Sequence, residues 1–181
     1  RSVGLQHRKL EEVKADFDDL ESLSDLPNCD YAFCCLGTTM KKAGSKEAFY
    51  RVDFDYVLAF GKLAKRLGCK KFLLVSSMGA DKNSMIFYNK VKGEVEEALS
   101  ELGFSTLHIV RPSVLLGDRK EQRLGESLGK TLFKFANPIL PINMRAIDSG
   151  VVARFLLHLA TVDLQKGVRI HSSGKIQQYA R

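Results

Sequence analysis

A chain of 181 residues with 45% hydrophobic and 27% charged residues is long enough for one domain with a sizeable core and has the balance of a globular protein. No apolar run approaches the roughly 18 residues a membrane-spanning helix needs, so no membrane span is expected. The formal net charge is +7, but the basic pairs Lys41-Lys42, Lys65-Arg66, Lys70-Lys71 and Arg119-Lys120 are scattered, with no interleaved aromatics, which argues against nucleic acid as a partner.

Arg1–Leu10 is polar and carries no signal-peptide pattern. Glu12–Phe17 alternates weakly and ends in an acid, as a short strand would, and Asp18–Leu23 reads as a short helix or turn. Tyr31–Leu36 is apolar throughout and closes on Gly37-Thr38-Thr39, which predicts a strand buried on both faces. Ser45 is a candidate N-cap for a helix whose apolar residues, Phe49, Val52, Tyr56, Phe60, Leu63 and Leu67, recur at spacings of three and four until Gly68.

A strand over Phe72–Ser76 follows, then a helix from Ser84 or Phe87 to Leu102, closed by Gly103. Thr106–Val110 is the next strand, ending in Arg111-Pro112-Ser113. Beyond Gly117 the spacing predicts an amphipathic helix over Leu124–Phe135, broken by Pro138 and Pro141. Ser149–Leu164 reads as a helix with Asp148 as its N-cap, Gly167–His171 as a short strand and Lys175–Tyr179 as a terminal helical turn. Strands alternating with helices across short links predict a parallel α/β sheet with right-handed crossovers, and ligands in such sheets bind beyond the carboxyl ends of the strands.

Cys29, Cys34, Cys35 and Cys69 lack metal-type spacing, as do His7, His108, His158 and His171, so no metal site is expected. Free thiols fit a reducing compartment such as the cytoplasm, and Cys34 and Cys35 read as packing residues.

The chemistry gathers at one stretch. Ser76-Ser77 ends the strand at Phe72, Tyr88 lies eleven residues past Ser77, and Lys92 four past Tyr88. On a helix Tyr88 and Lys92 share a face one turn apart, and an ammonium stabilises the anion of a phenol beside it. A structural reading stands beside this one: Tyr88 on the apolar face with Val91 and Val95, Lys92 paired with Glu96, and Ser76-Ser77 as a strand cap. Arg111 is open to an ion pair or to a substrate.

Together with Cys34-Cys-Leu-Gly-Thr-Thr39, Val52-Asp53, Ser76-Ser-Met-Gly-Ala-Asp81, Tyr88-x-x-Val-Lys92-Gly-Glu-Val-Glu96 and Arg111-Pro-x-x-Leu-Leu-Gly117, this set resembles the atypical short-chain dehydrogenase/reductases, in particular the Tat-interacting-protein-like oxidoreductases. The resemblance is close from Arg1 to Gly117 and looser beyond. It implies a Rossmann-like doubly wound parallel sheet with helices on both faces, forming a single domain over residues 1–181, with 118–181 supplying the substrate-side lid and C-terminal elements.

The resemblance also implies roles. Tyr88 would exchange a proton with the substrate oxygen, Ser77 would hydrogen-bond that oxygen, and Lys92 would hold the nicotinamide ribose and ease ionisation of Tyr88. Leu36, Gly37 and Thr38 would run along the cofactor ribose with Ser76 close by, Asp16 and Phe17 would flank the adenine, and Pro112 and Ser113 would touch the nicotinamide end. Arg1 would stand where relatives carry an arginine for the 2′-phosphate of NADP, with NAD as the other possible cofactor. The family's glycine-rich turn, G-x-x-G-x-x-G, does not occur in the chain. The expectation is therefore a domain lacking its first strand–helix unit, with poor cofactor binding by this chain alone. The implied function is an NAD(P)(H)-dependent oxidoreductase, or a related sugar-nucleotide epimerase, acting on an unidentified small molecule as a monomer or homodimer. The alternative is a non-catalytic NAD(P)-binding regulatory or redox-sensing protein. Arg119, Lys120 and Arg123 of the lid are consistent with an anionic substrate or with a plain solvated loop.

Overall fold

The computed structural model describes residues 4–23, 25–116, 140–162 and 164–180. Arg1, Gly117, the residues Arg119, Lys120 and Arg123 expected in a lid, and the helix expected over Leu124–Phe135 lie outside the described residues. Four parallel strands form the main sheet: β1 (Tyr31–Cys34), β2 (Lys71–Val75), β3 (Thr106–Arg111) and β6 (Gly167–Ser172), in the order β1-β2-β3-β6. Leu73 is in register with Phe33 and His108, and Val75 with Val110. A second, two-stranded parallel pair joins β4 (Leu115–Leu116) to β5 (Ile147–Asp148).

Alternate residues of the strands point to two separate cores. Ala32, Cys34, Phe72, Leu74, Leu107 and Ile109 face one side, covered by Val57 and Ala64 of α3 (Tyr56–Arg66) and by Val95 and Leu99 of α4 (Phe87–Glu101). Leu73 and Val110 face the other, against Val152, Phe155, Leu156 and Leu159 of α5 (Ser149–Thr161) and Ile176 of α6 (Ser173–Tyr179). Helices therefore cover both faces of a parallel sheet, the architecture expected from the alternation of elements. Asp148 caps α5 as expected, its side chain accepting the Gly150 N–H at 2.8 Å.

Several expectations are corrected. Glu12–Phe17 forms no strand; among the described residues no strand lies beside it to complete a ladder, and an unpaired extended segment has no regular bonding. The strand expected over Tyr31–Leu36 is buried on one face only: Ala32 and Cys34 are covered, but Tyr31 and Phe33 are 44% and 41% exposed, because the core on their face is built on Leu73 and Val110 and, among the described residues, does not extend over β1. Cys35 is exposed rather than packed. The crossovers are not all of one hand. The connection from β3 to β6 continues in the same direction along the sheet, yet α5 covers the face opposite α3 and α4, so its hand is opposite to the two before it.

The long helix predicted from Ser45 begins as placed, with the Ser45 hydroxyl accepting the Ala48 N–H at 3.1 Å, but it is not continuous. A short helix α1 (Met40–Ala43) precedes it, and α2 (Lys46–Tyr50) runs through a π-helical turn at Arg51–Asp55 before α3 begins. A π-turn carries an extra residue, so the inward stripe slips by one position. Phe49, Asp53, Val57, Gly61 and Ala64 are buried, in place of the predicted Val52, Tyr56 and Phe60. The slip turns a carboxylate inward.

Burial pushes the Cys34 thiol up to about 11 and the Cys69 thiol up to about 12 from the usual 9.0. A thiol that holds its proton more tightly when folded stabilises the fold fully below the unfolded value and ceases to do so as pH climbs through the folded one. Melting temperature should therefore stay level to about pH 8 and fall from about pH 9 upward, less steeply in Cys34→Ala. At about pH 8 iodoacetamide should leave Cys34 and Cys69 of the native protein unmodified; labelling at the rate of the unfolded chain would contradict this burial.

Candidate active site

The carboxyl ends of β1, β2 and β3 open into a cleft of about 500 Å³. It is lined by Leu36, Gly37, Thr38, Ser76, Ser77, Tyr88, Lys92, Pro112 and Ser113 from the predicted set, joined by Cys35, Thr39, Met40, Lys42, Asp53 and Val114 among others. Residues from five separate stretches of sequence thus meet where ligands of parallel sheets bind. Asp16 and Phe17 are not part of it. The Phe17 ring packs on Tyr56 with centroids 5.5 Å apart and lines a different cavity of about 440 Å³ with Asp18, Leu58 and Arg66, and Asp16 folds back to accept the Asp18 N–H.

The two serines divide. Pairing between β2 and β3 continues past the strand ends, with the Ser76 N–H donating to Val110 O at 2.8 Å and the Met78 N–H to Pro112 O at 2.9 Å. Consecutive side chains on such an extended segment point oppositely. Ser76 Oγ donates to Glu96 Oε1 at 2.5 Å, whereas Ser77 Oγ is buried and has no hydrogen-bond partner among the described residues. Buried hydroxyls are nearly always bonded, so an orphan of this kind calls for a partner such as a water or a ligand atom.

Helix α4 follows Ile86, which is extended, so Tyr88 falls in its first turn with Lys92 and Glu96 at successive turns. The Tyr88 ring rests on Phe49, itself fully buried, with centroids 5.7 Å apart. Lys92 is 4% exposed and does not pair with Glu96. Its Nζ lies 2.8 Å from Oδ1 of Asp53, which is 0% exposed, while Asp53 Oδ2 accepts the Thr38 N–H at 2.8 Å. Glu96 instead takes Arg111, whose Nε lies 3.1 and 3.2 Å from the two carboxylate oxygens and whose Nη2 lies 2.5 Å from Oε2. Of the two roles open to Arg111, the geometry favours the ion pair. Ser113 donates its hydroxyl to Arg145 O and accepts from Ser173 at 3.0 Å.

Two glycines permit these approaches. A Cβ on Gly37 would lie 3.1 Å from Asp53 Oδ1 and 3.5 Å from Lys92 Nζ, so the bare backbone there lets the ion pair sit beneath the cleft floor. A Cβ on Gly93 would lie 2.1 Å from Lys82 N and 2.3 Å from Asp81 C. The loop after Ser77 therefore lies directly on the α4 backbone, held also by the Asp81 N–H to Asn89 O at 3.0 Å and by a Lys82–Glu97 ion pair.

Asp53 is the site residue that helical spacing missed. The apolar stripe assigned Val52 to the inner face, and only the Val52-Asp53 pair within the family-like motifs pointed to it. Among the described residues no group of three or more His, Cys, Asp or Glu side chains could hold a metal ion. No described helix is long and apolar enough to cross a membrane.

No protein-family model matches the chain. It is 46% identical over 137 residues to protein HTATIP2 of Rattus norvegicus, covering 74% of this chain and 56% of that one. It is 37% identical over 154 residues to the mitochondrial protein FMP52 of Eremothecium gossypii, covering 81% of this chain and 67% of that one. The chain thus spans between about half and two-thirds of the length of the curated relatives it matches. Among solved structures it superposes on RMD from Pseudomonas aeruginosa, complexed with NADPH, with a TM-score of 0.64 at 18% identity over 92% of this chain and 70% of that one. MoeE5 in complex with UDP-glucuronic acid and NAD gives a TM-score of 0.67 at 13% identity over 88% and 61%. These structural likenesses speak to the fold.

Asp53→Ala should cost about 3–5 kcal/mol, because it strands a buried ammonium and the Thr38 N–H together. Gly93→Ala should cost about 1–3 kcal/mol, since the backbone it meets cannot yield, and this outweighs the ~1 kcal/mol that alanine gains in a helix. Urea unfolding of both variants checks the pair; a stabilised Gly93→Ala would refute the close approach.

Proposed function

The chain belongs to the atypical short-chain dehydrogenase/reductase family that includes HTATIP2 and FMP52, and from that footing we propose that it binds a nicotinamide dinucleotide and transfers a proton to or from a small carbonyl or alcohol substrate in the cleft at Ser77, Tyr88 and Lys92. The observation that carries this reading is the orphaned, buried Ser77 hydroxyl in the same cleft as Tyr88 and Lys92. The residues present fit the ribose and reacting end of such a cofactor. Gly37 leaves the backbone bare where a sugar would lie, and the Lys92 ammonium, in ion-pair contact with Asp53, has three N–H donors. The cofactor would supply or accept the hydride. The rest falls to the chain's own groups.

In the reduction direction Ser77 Oγ donates a hydrogen bond to the substrate oxygen and fixes its position. Tyr88 gives its phenolic proton to that oxygen as charge develops there, and takes it back in oxidation. Lys92, held by Asp53, brings a cation to the cleft that Tyr88 lines and donates to the ribose. Phe49 sets the Tyr88 ring plane, so the hydroxyl arrives in one orientation. NADP is the preferred cofactor in this reading and NAD the second; the preference rests on Arg1, since RMD was solved with NADPH and MoeE5 with NAD. The free thiols support a reducing compartment, the cytoplasm in the first instance, with the mitochondrial designation of FMP52 as the competing assignment.

In the full-length protein, Tyr88→Phe should lower the rate of aldehyde or ketone reduction by about 10²-fold or more while shifting the melting temperature little, because only one hydroxyl is removed and the ring packing on Phe49 is kept. NADPH fluorescence titration should give the same affinity within about threefold, since the ring itself remains in place. Full turnover by this variant would end the assignment. Cofactor binding without turnover by the wild type across a carbonyl panel would favour the regulatory reading.

A further inference from the structure

Glu96 lies on α4 one turn past Lys92 and two past Tyr88, is 4% exposed, and takes no part in the chemistry proposed above. Its carboxylate nonetheless joins three elements. It accepts from Ser76 Oγ at the end of β2, at 2.5 Å, and from Arg111 at the end of β3 through Nε and Nη2. Ser76 is bonded to Ser77, so this tie holds the residue whose Cα lies about 3.8 Å from that of the residue carrying the orphaned hydroxyl. Arg111 likewise precedes Pro112 and Ser113, which line the cleft.

We propose that Glu96 is a positioning residue: it sets the distance between the β2 end that carries Ser77 and the α4 turn that carries Tyr88. The helix does not need this ion pair to stay on the sheet. Val95 and Leu99 are fully buried in the core, and Gly93 is packed under the loop backbone. A buried ion pair is, moreover, often replaceable by apolar groups at little cost in stability. What apolar groups cannot replace is direction. A bidentate guanidinium–carboxylate fork and a short hydroxyl bond fix α4 along and around its axis, at the level where the reacting groups must meet within a fraction of an ångström. The role rests on the reading of Ser77 and Tyr88 as the reacting pair, and the experiment separates the two claims.

Glu96→Gln keeps the side chain's size and its bond to Ser76 but loses the fork to Arg111. In the full-length protein it should raise deuterium exchange in peptides covering Ser76–Tyr88 by about threefold or more, leaving Gly167–Ser172 unchanged, since local opening tracks the ties of the segment itself. It should lower kcat for carbonyl reduction by about tenfold or more with KM for NADPH within about threefold, the split expected when geometry and not binding is lost. The apolar pair Glu96→Leu with Arg111→Met should recover melting temperature without recovering kcat or exchange protection. If Glu96→Gln does not fold, Arg111→Lys, which keeps charge but not the fork, should show the same split more weakly. Unchanged exchange in a folded Glu96→Gln or Arg111→Lys overturns the positioning role whatever the activity, and so does recovery of kcat by the apolar pair. A wild type without turnover whose Glu96→Gln variant still loosens Ser76–Tyr88 overturns the oxidoreductase reading and leaves the clamp standing.

Discussion

The site depends on a charge that has been taken out of water. Lys92 and Asp53 are 4% and 0% exposed and 2.8 Å apart. Burying either ion alone costs several kcal/mol, and the cost is offset only when the partner and the remaining hydrogen-bonding capacity are both satisfied. Asp53 meets part of that condition: its second oxygen takes the Thr38 N–H, while Oδ1 has only the ion-pair contact with Lys92. Much of the local architecture follows. Position 37 is bare so that the pair fits under it, the helix at Arg51–Asp55 is π-turned so that a carboxylate points inward, and the loop after β1 is anchored to the helix after β2.

Helix α4 acts as the ruler for the cleft. A spacing of four residues advances a helix by slightly more than one turn, so Tyr88, Lys92 and Glu96 form a slowly rotating row along it. Each reaches a different part of the sheet. Glu96 binds the ends of β2 and β3, Lys92 binds the loop after β1 through Asp53, and Tyr88 rests its ring on Phe49 at the cleft. Two ion pairs of opposite polarity along the helix thus hold one side chain in place, while the aliphatic core beneath supplies most of the burial.

Much of the sheet was legible in the sequence because buried parallel strands read as short apolar runs and their crossover helices as periodic stripes. Lys71–Val75, Thr106–Arg111, Phe87–Glu101 and the caps at Ser45 and Asp148 lie where spacing and capping chemistry put them. Those signals are local, set by the chain's own backbone and nearest side chains. The failures were of a different kind. Glu12–Phe17 alternates like a strand, but a strand exists only through a neighbour, and neighbours are not written in a segment's own pattern. Tyr31 and Phe33 look like core, and their exposure reflects which face of β1 the described helices cover, which no run of six residues encodes. The π-turn is equally silent in periodicity, since it changes which residues share a face without changing their composition.

The sequence by itself determined the alternation of strands and helices and the placement of Ser77 beyond a strand and of Tyr88 and Lys92 one turn apart, because these follow from spacing along a regular backbone, and the proton-transfer role proposed for the three rests on that placement. Only the tertiary structure decided which charge met which. From spacing alone Lys92 was open to a pair with Glu96 or to a place in the site, and Arg111 to an ion pair or a substrate. In the fold Lys92 turns to Asp53, Glu96 turns to Arg111 and Ser76, and Ser77 is left with its hydroxyl unpaired among the described residues. The reason is physical: a helix offers an i,i+4 partner at the surface for a few tenths of a kcal/mol, whereas a buried charge is governed by its full desolvation cost and pairs with whatever the packed elements bring within 3 Å or so.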